Sequence, residues 1–299
     1  MTDQLLRFYF EYILKVAALI PPPNCYKLLS LTGSWFRNWQ AYSAATAYPG
    51  VLLTAVQNLQ RYCNIPQKKA QKIIVDFLRF ESRYVLENNW IKSRKMSYIT
   101  ASFNLQAQTS LLEKVSKHRQ MIICTLHSAN LFTMGSLLYL KGIDTHFMVA
   151  VIPDVMPDGT NPLHENGIRM IMQWKNWQPL IPADISSARK VIEQGHSLFL
   201  APDTPGYKDR GAIIALFDQP IWVPVGAAKL AQEFRLPLIV AIPWAPSITS
   251  LYEVDVNEID TSGTLQEVMQ RIFSTAEKTI LKNPACWMGW LCLNQMQAK

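Results

Sequence analysis

The stretch Met121–Phe132, MIICTLHSANLF, decides the fold and points to a site. The first half of this stretch is apolar and rich in residues that favour β-structure. This apolar run ends at His127, and the polar turn Ser128–Asn130 follows. A buried strand that ends in an imidazole holds the ring firmly, while the loop leaves it open to a ligand. The pattern predicts a strand over residues 121–126 and a functional histidine at its end, with a purely structural histidine as the alternative.

Outward from this strand, short apolar runs alternate with amphipathic segments. The other strand-like runs cover residues 146–152, 196–202 and 237–243, and helical spacing covers 132–140, 162–174, 185–194, 226–234 and 265–282. Alternation of this kind predicts an α/β fold, with a mixed, mostly parallel sheet covered by helices.

The amino-terminal part of the chain has a different character, because it is basic and mostly helical in pattern. Residues 5–20 carry their charges on one helical stripe, and three prolines at 21–23 end that helix. No run of 18 uncharged apolar residues occurs, so we predict no transmembrane helix. The predicted organisation is an amphipathic amino-terminal helix over 1–23 and one domain over 24–299, helical over 24–120 and α/β over 121–299.

The net charge of +7 is distributed unevenly along the chain. Residues 1–120 carry a net charge of +10, and residues 121–299 carry −3. A basic, apolar segment suggests an anionic partner, which is a membrane surface, an acidic carrier protein or nucleic acid. A solvated helix face is the alternative. We predict no nucleic-acid partner, because the chain contains no recognised nucleic-acid-binding motif.

Cysteine usage and missing motifs exclude several other classes. The five cysteines include no C-x-x-C pair, which argues against a zinc site and a disulfide framework and suggests a reducing compartment. The chain also lacks the Walker A, G-x-G-x-x-G, G-x-S-x-G and H-E-x-x-H motifs. We therefore predict no cofactor and no metal.

Further candidate site residues follow the predicted strands. Asp203 lies in the loop 201–206 after a strand, where open α/β sheets place ligands, although an ordinary aspartate turn is the alternative. Asn130 is suited either to cap the next helix or to bind substrate. Arg169 and Arg210 are candidates for holding a phosphate or carboxylate. The helix start after Pro224 offers backbone N–H groups to an anion.

Together these blocks resemble the lysophospholipid acyltransferase superfamily, most closely its lipid A lauroyl/myristoyl acyltransferase branch. The resemblance rests on the order and spacing of short motifs over most of the chain. These are the prolines at 21–23, Ala55–Leu59, His127 with Ser128–Asn130, Pro202-Asp203, Phe217, Pro224–Ala231 and Asn283–Trp287.

The resemblance implies transfer of an acyl group from a thioester, carried by acyl carrier protein or CoA, to a hydroxyl or amine. The family signature is a histidine followed by four residues and then Asp or Glu. The histidine takes the proton of the acceptor, and the acid orients the imidazole. His127 is then the expected general base. The residues expected to contact substrate are Ser128, Asn130, Phe132, Arg169, Asp203 and Arg210.

This sequence departs from the signature at the acid position, which Phe132 occupies. A phenyl ring cannot orient an imidazole or stabilise its charged form. Three outcomes stay open. In the first, Asp154, Glu165 or Asp203 replaces the acid; in the second, an amine acceptor reacts without one. In the third, the protein is a non-catalytic module that binds an acyl chain or a carrier protein.

A second departure lies near the carboxyl end. The lipid A branch has a basic His-Arg-Arg-like segment after its tryptophan, whereas residues 288–294 here carry no charge. We therefore expect transfer of an acyl or aminoacyl group to an acceptor other than ordinary lipid A. The expected location is the cytoplasm, with the protein peripheral on the inner face of the cytoplasmic membrane.

Overall fold

The computed structural model describes residues 12–32, 50–149, 179–205 and 211–298. Its centre is a six-stranded sheet in the order β3-β2-β4-β1-β7-β8. The six strands are β1 Ile122–Cys124, β2 Thr145–Val149, β3 Leu180–Pro182, β4 Ser197–Leu200, β7 Leu238–Trp244 and β8 Glu253–Ile259. All neighbours pair in parallel except β7 and β8. The predicted mixed, mostly parallel α/β fold is therefore confirmed.

A separate antiparallel hairpin is formed by β5 Gly211–Leu216 and β6 Gln219–Pro224. Its turn residues Phe217 and Asp218 both have positive φ, which fits a two-residue hairpin turn. This hairpin packs on the last long helix of the chain. The sequence pattern predicts no strands here, because two prolines and a mixed composition obscure the alternation.

Ten α-helices surround the sheets within the described residues. In chain order they are α1 Leu14–Ala17, α2 Asn24–Thr32, α3 Val51–Cys63, α4 Gln67–Lys92, α5 Met96–Ala101, α6 Leu105–Val115, α7 Leu131–Leu140, α8 Ile185–Glu193, α9 Gly226–Phe234 and α10 Leu265–Lys282. Three short 3-10 turns follow, at Pro284–Cys286, Met288–Leu291 and Leu293–Met296.

The helices form two groups against the main sheet. Helices α4, α5 and α7 pack on one another, and α7 contacts β2 and β7. Helices α8, α9 and α10 form the second group, which contacts β1, β3, β4, β7 and β8. Strands β1 and β4 are buried along their whole length, as expected for central parallel strands covered by helices.

The helix predictions hold closely in the described part of the second half of the chain. Helix α9 and helix α10 have the predicted bounds, and α7 and α8 differ from theirs by one residue at one end. Of the predicted amino-terminal helix only α1 is described, and the predicted helix 162–174 lies outside the described residues. No helix in the described part of the chain combines the length and the apolar character needed to cross a membrane.

Candidate active site

The register of the central strands brings His127 and Asp203 together. Strand β1 pairs in parallel with β4, and Cys124 lies opposite Leu200. His127 and Asp203 each come three residues after that pair. Parallel strands end at the same edge of a sheet, so both side chains arrive side by side at the carboxyl edge.

The carboxylate of Asp203 holds His127 at two points. Oδ1 of Asp203 lies 2.8 Å from Nδ1 of His127, and Oδ2 accepts a hydrogen bond of 2.8 Å from the backbone N–H of His127. An ionised carboxylate only accepts, so Nδ1 carries the proton and Nε2 is left with its lone pair. The arrangement leaves His127 with a basic nitrogen in a fixed orientation.

Trp287 supplies a third donor to the same carboxylate. Its Nε1–H donates to Oδ2 of Asp203 at 2.8 Å. The indole is fully buried and is held by two neighbouring rings, with Trp290 edge-on at 4.8 Å and Phe217 tilted at 6.1 Å. Asp203 is thus a buried carboxylate whose charge is satisfied by three donors.

Burial and charge act in opposite directions on the two titratable groups. Burial lowers the pKa of His127, but the charge and the hydrogen bond of Asp203 outweigh it, so that pKa lies above the ordinary value. Burial raises the pKa of Asp203, but His127, Trp287 and the backbone N–H together hold it below the ordinary value. The pair therefore keeps Asp203 ionised and makes His127 a stronger base.

The imidazole ring of His127 is accessible to a ligand, although the Asp203 carboxylate that orients it is buried. The side chain of His127 is 32% exposed, whereas that of Asp203 is 0% exposed. An acceptor can approach the ring, and water cannot reach the carboxylate that orients it. This combination is typical of a general base with a buried orienting acid.

The loop after His127 is fixed by the carboxyl-terminal segment. The backbone N–H of Met288 donates to the carbonyl oxygen of His127 at 2.8 Å, and that of Ala129 donates to the carbonyl oxygen of Cys286 at 2.6 Å. Ala129 has a φ of +48°, an uncommon conformation for alanine. Ser128 is buried, and its hydroxyl donates to the carbonyl oxygen of Pro243 at 3.0 Å.

Asn130 caps helix α7 and connects it to a buried network. Its Oδ1 accepts from the backbone N–H groups of Phe132 and Thr133, and its Nδ2 donates to Glu87 at 3.0 Å. The capping alternative is therefore the one that the structure shows. Substrate contact by Asn130 or Ser128 stays a prediction, and both residues are fully or almost fully buried.

Phe132, on helix α7, packs against rings from helix α4 and strand β2. Its ring lies 5.6 Å from that of Phe147 and 6.0 Å from that of Tyr84, and the residue is 9% exposed. In the family signature this position carries Asp or Glu. Here it carries Phe132, whose ring packs against other aromatic rings. Among the candidate replacement acids only Asp203 is described, and it contacts His127. Asp154, Glu165, Arg169 and Arg210 lie outside the described residues.

Trp287 is the site residue that the sequence analysis missed. It entered only as part of the motif Asn283–Trp287, with no role attached. The position of Trp287 in that motif was the hint that the sequence offered. Its hydrogen bond to Asp203, however, depends on how the chain returns to the active site after α10. That return is fixed by Asn283, whose Nδ2 donates to the carbonyl oxygen of Ala245 at 2.8 Å.

The fold is a mixed, mostly parallel α/β sheet, and its carboxyl edge carries a paired histidine and aspartate. The chain belongs to the bacterial lipid A biosynthesis acyltransferase family, whose model matches residues 2–293. The match covers nearly the whole chain and confirms the predicted resemblance. A search of curated proteins finds no match.

Proposed function

We propose that this acyltransferase moves an acyl group from a thioester to an amine or hydroxyl acceptor, with His127 as general base and Asp203 as its orienting acid. The observation that carries the proposal is the Asp203 carboxylate, which contacts both the ring and the backbone of His127. The missing acid at Phe132 is thereby compensated by a residue in the loop that follows the neighbouring strand β4. The non-catalytic alternative explains Asp203 as a link between the His127 loop and Trp287, but it gives no reason for an imidazole that stays accessible beside the carboxylate.

The proposed reaction is an acyl substitution. Nε2 of His127 takes the proton of the acceptor as its oxygen or nitrogen attacks the thioester carbonyl carbon. The resulting tetrahedral intermediate breaks its C–S bond, and the thiolate takes the proton from His127. Asp203 stays ionised throughout and stabilises the imidazolium between the two proton transfers.

The donor that we propose is an acyl-carrier-protein or CoA thioester, and the acceptor is one other than ordinary lipid A. The basic charge of residues 1–120 supports an acidic carrier. The uncharged segment 288–294 supports a different acceptor, because it offers no cation for a lipid phosphate. In the structure this segment packs against helix α3, where Asn58 donates to the carbonyl oxygen of Trp290 at 2.7 Å.

Intact-mass spectrometry tests the reaction. The protein is incubated with acyl-carrier-protein thioesters and a panel of amines and hydroxyls that includes a lipid A precursor. Wild type should lose thioester and form an acylated product, and His127→Ala should not. Asp203→Asn should lower kcat by a factor of about a hundred to ten thousand, since the histidine loses its orienting and charge-stabilising partner.

His118→Ala is the matched control, because His118 also faces a carboxylate, that of Glu258 at 3.6 Å. That variant should keep wild-type turnover. Full activity in His127→Ala would end the general-base proposal. Carrier binding without thioester loss across the panel would favour the non-catalytic alternative. Efficient acylation of the lipid A precursor would contradict only the proposed acceptor.

We also propose that the protein lies on the inner face of the cytoplasmic membrane. Three large apolar side chains in or just after the first two helices support this, since Val16, Leu19 and Leu31 are 58%, 68% and 74% exposed. Lys15 and Lys27 are exposed in the same helices. Apolar side chains beside lysines favour an anionic lipid surface.

Vesicle co-sedimentation tests the membrane contact. Vesicles of phosphatidylglycerol and phosphatidylethanolamine should bind the wild type, and the double variant Leu19→Glu/Leu31→Glu should bind much less. Leu281→Glu is the control, because Leu281 is 51% exposed on the distant helix α10. Equal binding by all three proteins would contradict the proposed surface.

A further inference from the structure

A second cluster of chemically active side chains lies at the opposite edge of the main sheet. Asp144 comes directly before β2, His146 is within β2, and His196 comes directly before β4. These strands pair in parallel, with His146 opposite Leu198. The cluster therefore lies at the amino ends of the strands, whereas His127 and Asp203 lie beyond the carboxyl ends of β1 and β4.

The three side chains converge closely. The rings of His146 and His196 are stacked with centroids 4.4 Å apart, and Nδ1 of His196 lies 2.6 Å from a carboxylate oxygen of Asp144. One potential ligand atom from each residue lies within 4.8 Å of the others. Nδ1 of His146 is buried and has no hydrogen-bond partner among the described residues. A buried polar atom without a partner is uncommon in a folded protein.

We propose that Asp144, His146 and His196 bind a divalent transition-metal ion of the zinc class. Imidazole nitrogens suit zinc, nickel and copper, and a carboxylate completes a set that zinc accepts. Three protein ligands leave the fourth tetrahedral position for water, which fits a cluster at the protein surface. A metal ion would also give the buried Nδ1 of His146 its missing partner.

The geometry requires only small side-chain movements. Ligand atoms around a tetrahedral zinc lie about 3.4 Å apart, given bonds of about 2.1 Å. The side chains of His196 and Asp144 are 35% and 63% exposed, so they are free to rotate toward a common centre.

The bound metal ion would stabilise the folded protein and would take no part in acyl transfer. It joins the loop before β2 to the loop before β4 and so fixes the order of these neighbouring strands. A ligand that binds only the folded protein stabilises it by mass action. Because the site is at the far edge of the sheet from His127, zinc should raise the midpoint of thermal unfolding by a few degrees without being needed for thioester turnover.

Calorimetric titration of zinc into the full chain, free of any affinity tag and stripped of metal, tests the proposal. One saturable site is expected in the wild type, and magnesium should not compete for it. His146→Ala and His196→Ala should each weaken zinc binding by more than about tenfold. His118→Ala should bind zinc as the wild type does, because His118 and Glu258 belong to no three-residue ligand group among the described residues.

A measurement on the unmutated protein keeps the test decisive should an alanine variant fail to fold. Nitrogen-15 spectra of the imidazoles should show zinc-dependent shifts for both His146 and His196, and none for His127. Absence of a saturable site, equal weakening by His118→Ala, or zinc binding that shifts neither ring would each overturn the proposal. None of these outcomes bears on acyl transfer, so the two proposals fail independently.

Discussion

The residue that orients His127 comes from the loop after β4 and not from the helix that follows the histidine. Asp203 occupies that position because Cys124 and Leu200 are in register and both chains continue for three residues beyond them. The sequence predicted His127 and placed Asp203 among three candidate acids. It could not choose between them, since the pairing of β1 with β4 is a long-range contact that no local pattern encodes.

The indole of Trp287 is expected to contribute to catalysis through Asp203. Trp287→Phe keeps a ring in the same space but removes the N–H that donates to Oδ2. A hydrogen bond to a charged group contributes about 1.5–3 kcal/mol, so kcat should fall about tenfold or more while KM changes little. Steady-state kinetics with a thioester donor measures this.

Trp290→Phe is the matched control for that experiment. Its Nε1–H donates to the carbonyl oxygen of Pro284 at 2.8 Å and not to Asp203. This variant should lose stability with little loss of kcat. Equal kcat losses in the two variants would show that ring packing, and not the hydrogen bond to Asp203, sets the activity.

Among the elements, helix α7 has a cap, Asn130, that also contacts a buried charge. Asn130→Ala removes two capping bonds and one of the partners of buried Glu87, so we expect a loss of about 2–3 kcal/mol in the free energy of unfolding. Denaturant unfolding measures it. Asp184→Ala removes the cap of α8 at an exposed site and should cost less. Equal losses would contradict a role for the Glu87 contact.

The turn Met288–Leu291 has a strict steric requirement at Gly289. A β-carbon added there would overlap the ring of Trp287. Because the Trp287 ring leaves no room for the added methyl group, Gly289→Ala should displace the indole from Asp203. Both kcat and the stability of the protein should then fall. Gly195→Ala is a useful contrast, because nothing lies near its added β-carbon, although its φ of +89° still makes it strained. Normal kcat in Gly289→Ala would show that Trp287 can move without loss of activity.

The elements themselves show where sequence patterns fail. Helices α9 and α10 were predicted at their observed bounds because helical spacing is a local signal, which a capping box at Thr264 reinforces in α10. Strand β8 was missed because it lies at one edge of the sheet with exposed polar residues. Strand β3 was missed because it lies at the other edge and none of its three residues is fully buried. Such strands are defined by their neighbours and not by their own composition.

On the scale of the whole molecule, a buried ion pair joins the helical region to the sheet. Arg83 and Glu87 on α4 are both 0% exposed and lie 2.8 Å apart. The guanidinium is stacked between the rings of Tyr26 and Tyr252, each 3.7 Å away. Glu87 also accepts hydrogen bonds from both tyrosine hydroxyls and from Asn130, next to the active-site loop.

Breaking this pair should be costly. Glu87→Gln leaves Arg83 buried without a compensating charge, so we expect a loss of about 3–5 kcal/mol in the free energy of unfolding. Asp76→Asn is the control, because it breaks the partly exposed pair with Arg79 and should cost less than about 1 kcal/mol. Urea unfolding compares the two. Similar small losses would show that the network does not hold the two regions together.

The central claim is that Asp203 holds and polarises His127, and a pH titration of the five histidines by NMR tests it most directly. The His127 signal is assigned with His127→Ala. In the wild type its pKa should lie above the ordinary value for histidine, near 6.5, because Asp203 favours the charged form. In folded Asp203→Asn burial alone remains, so the pKa should fall below that value. An unchanged His127 pKa in this variant would contradict the account.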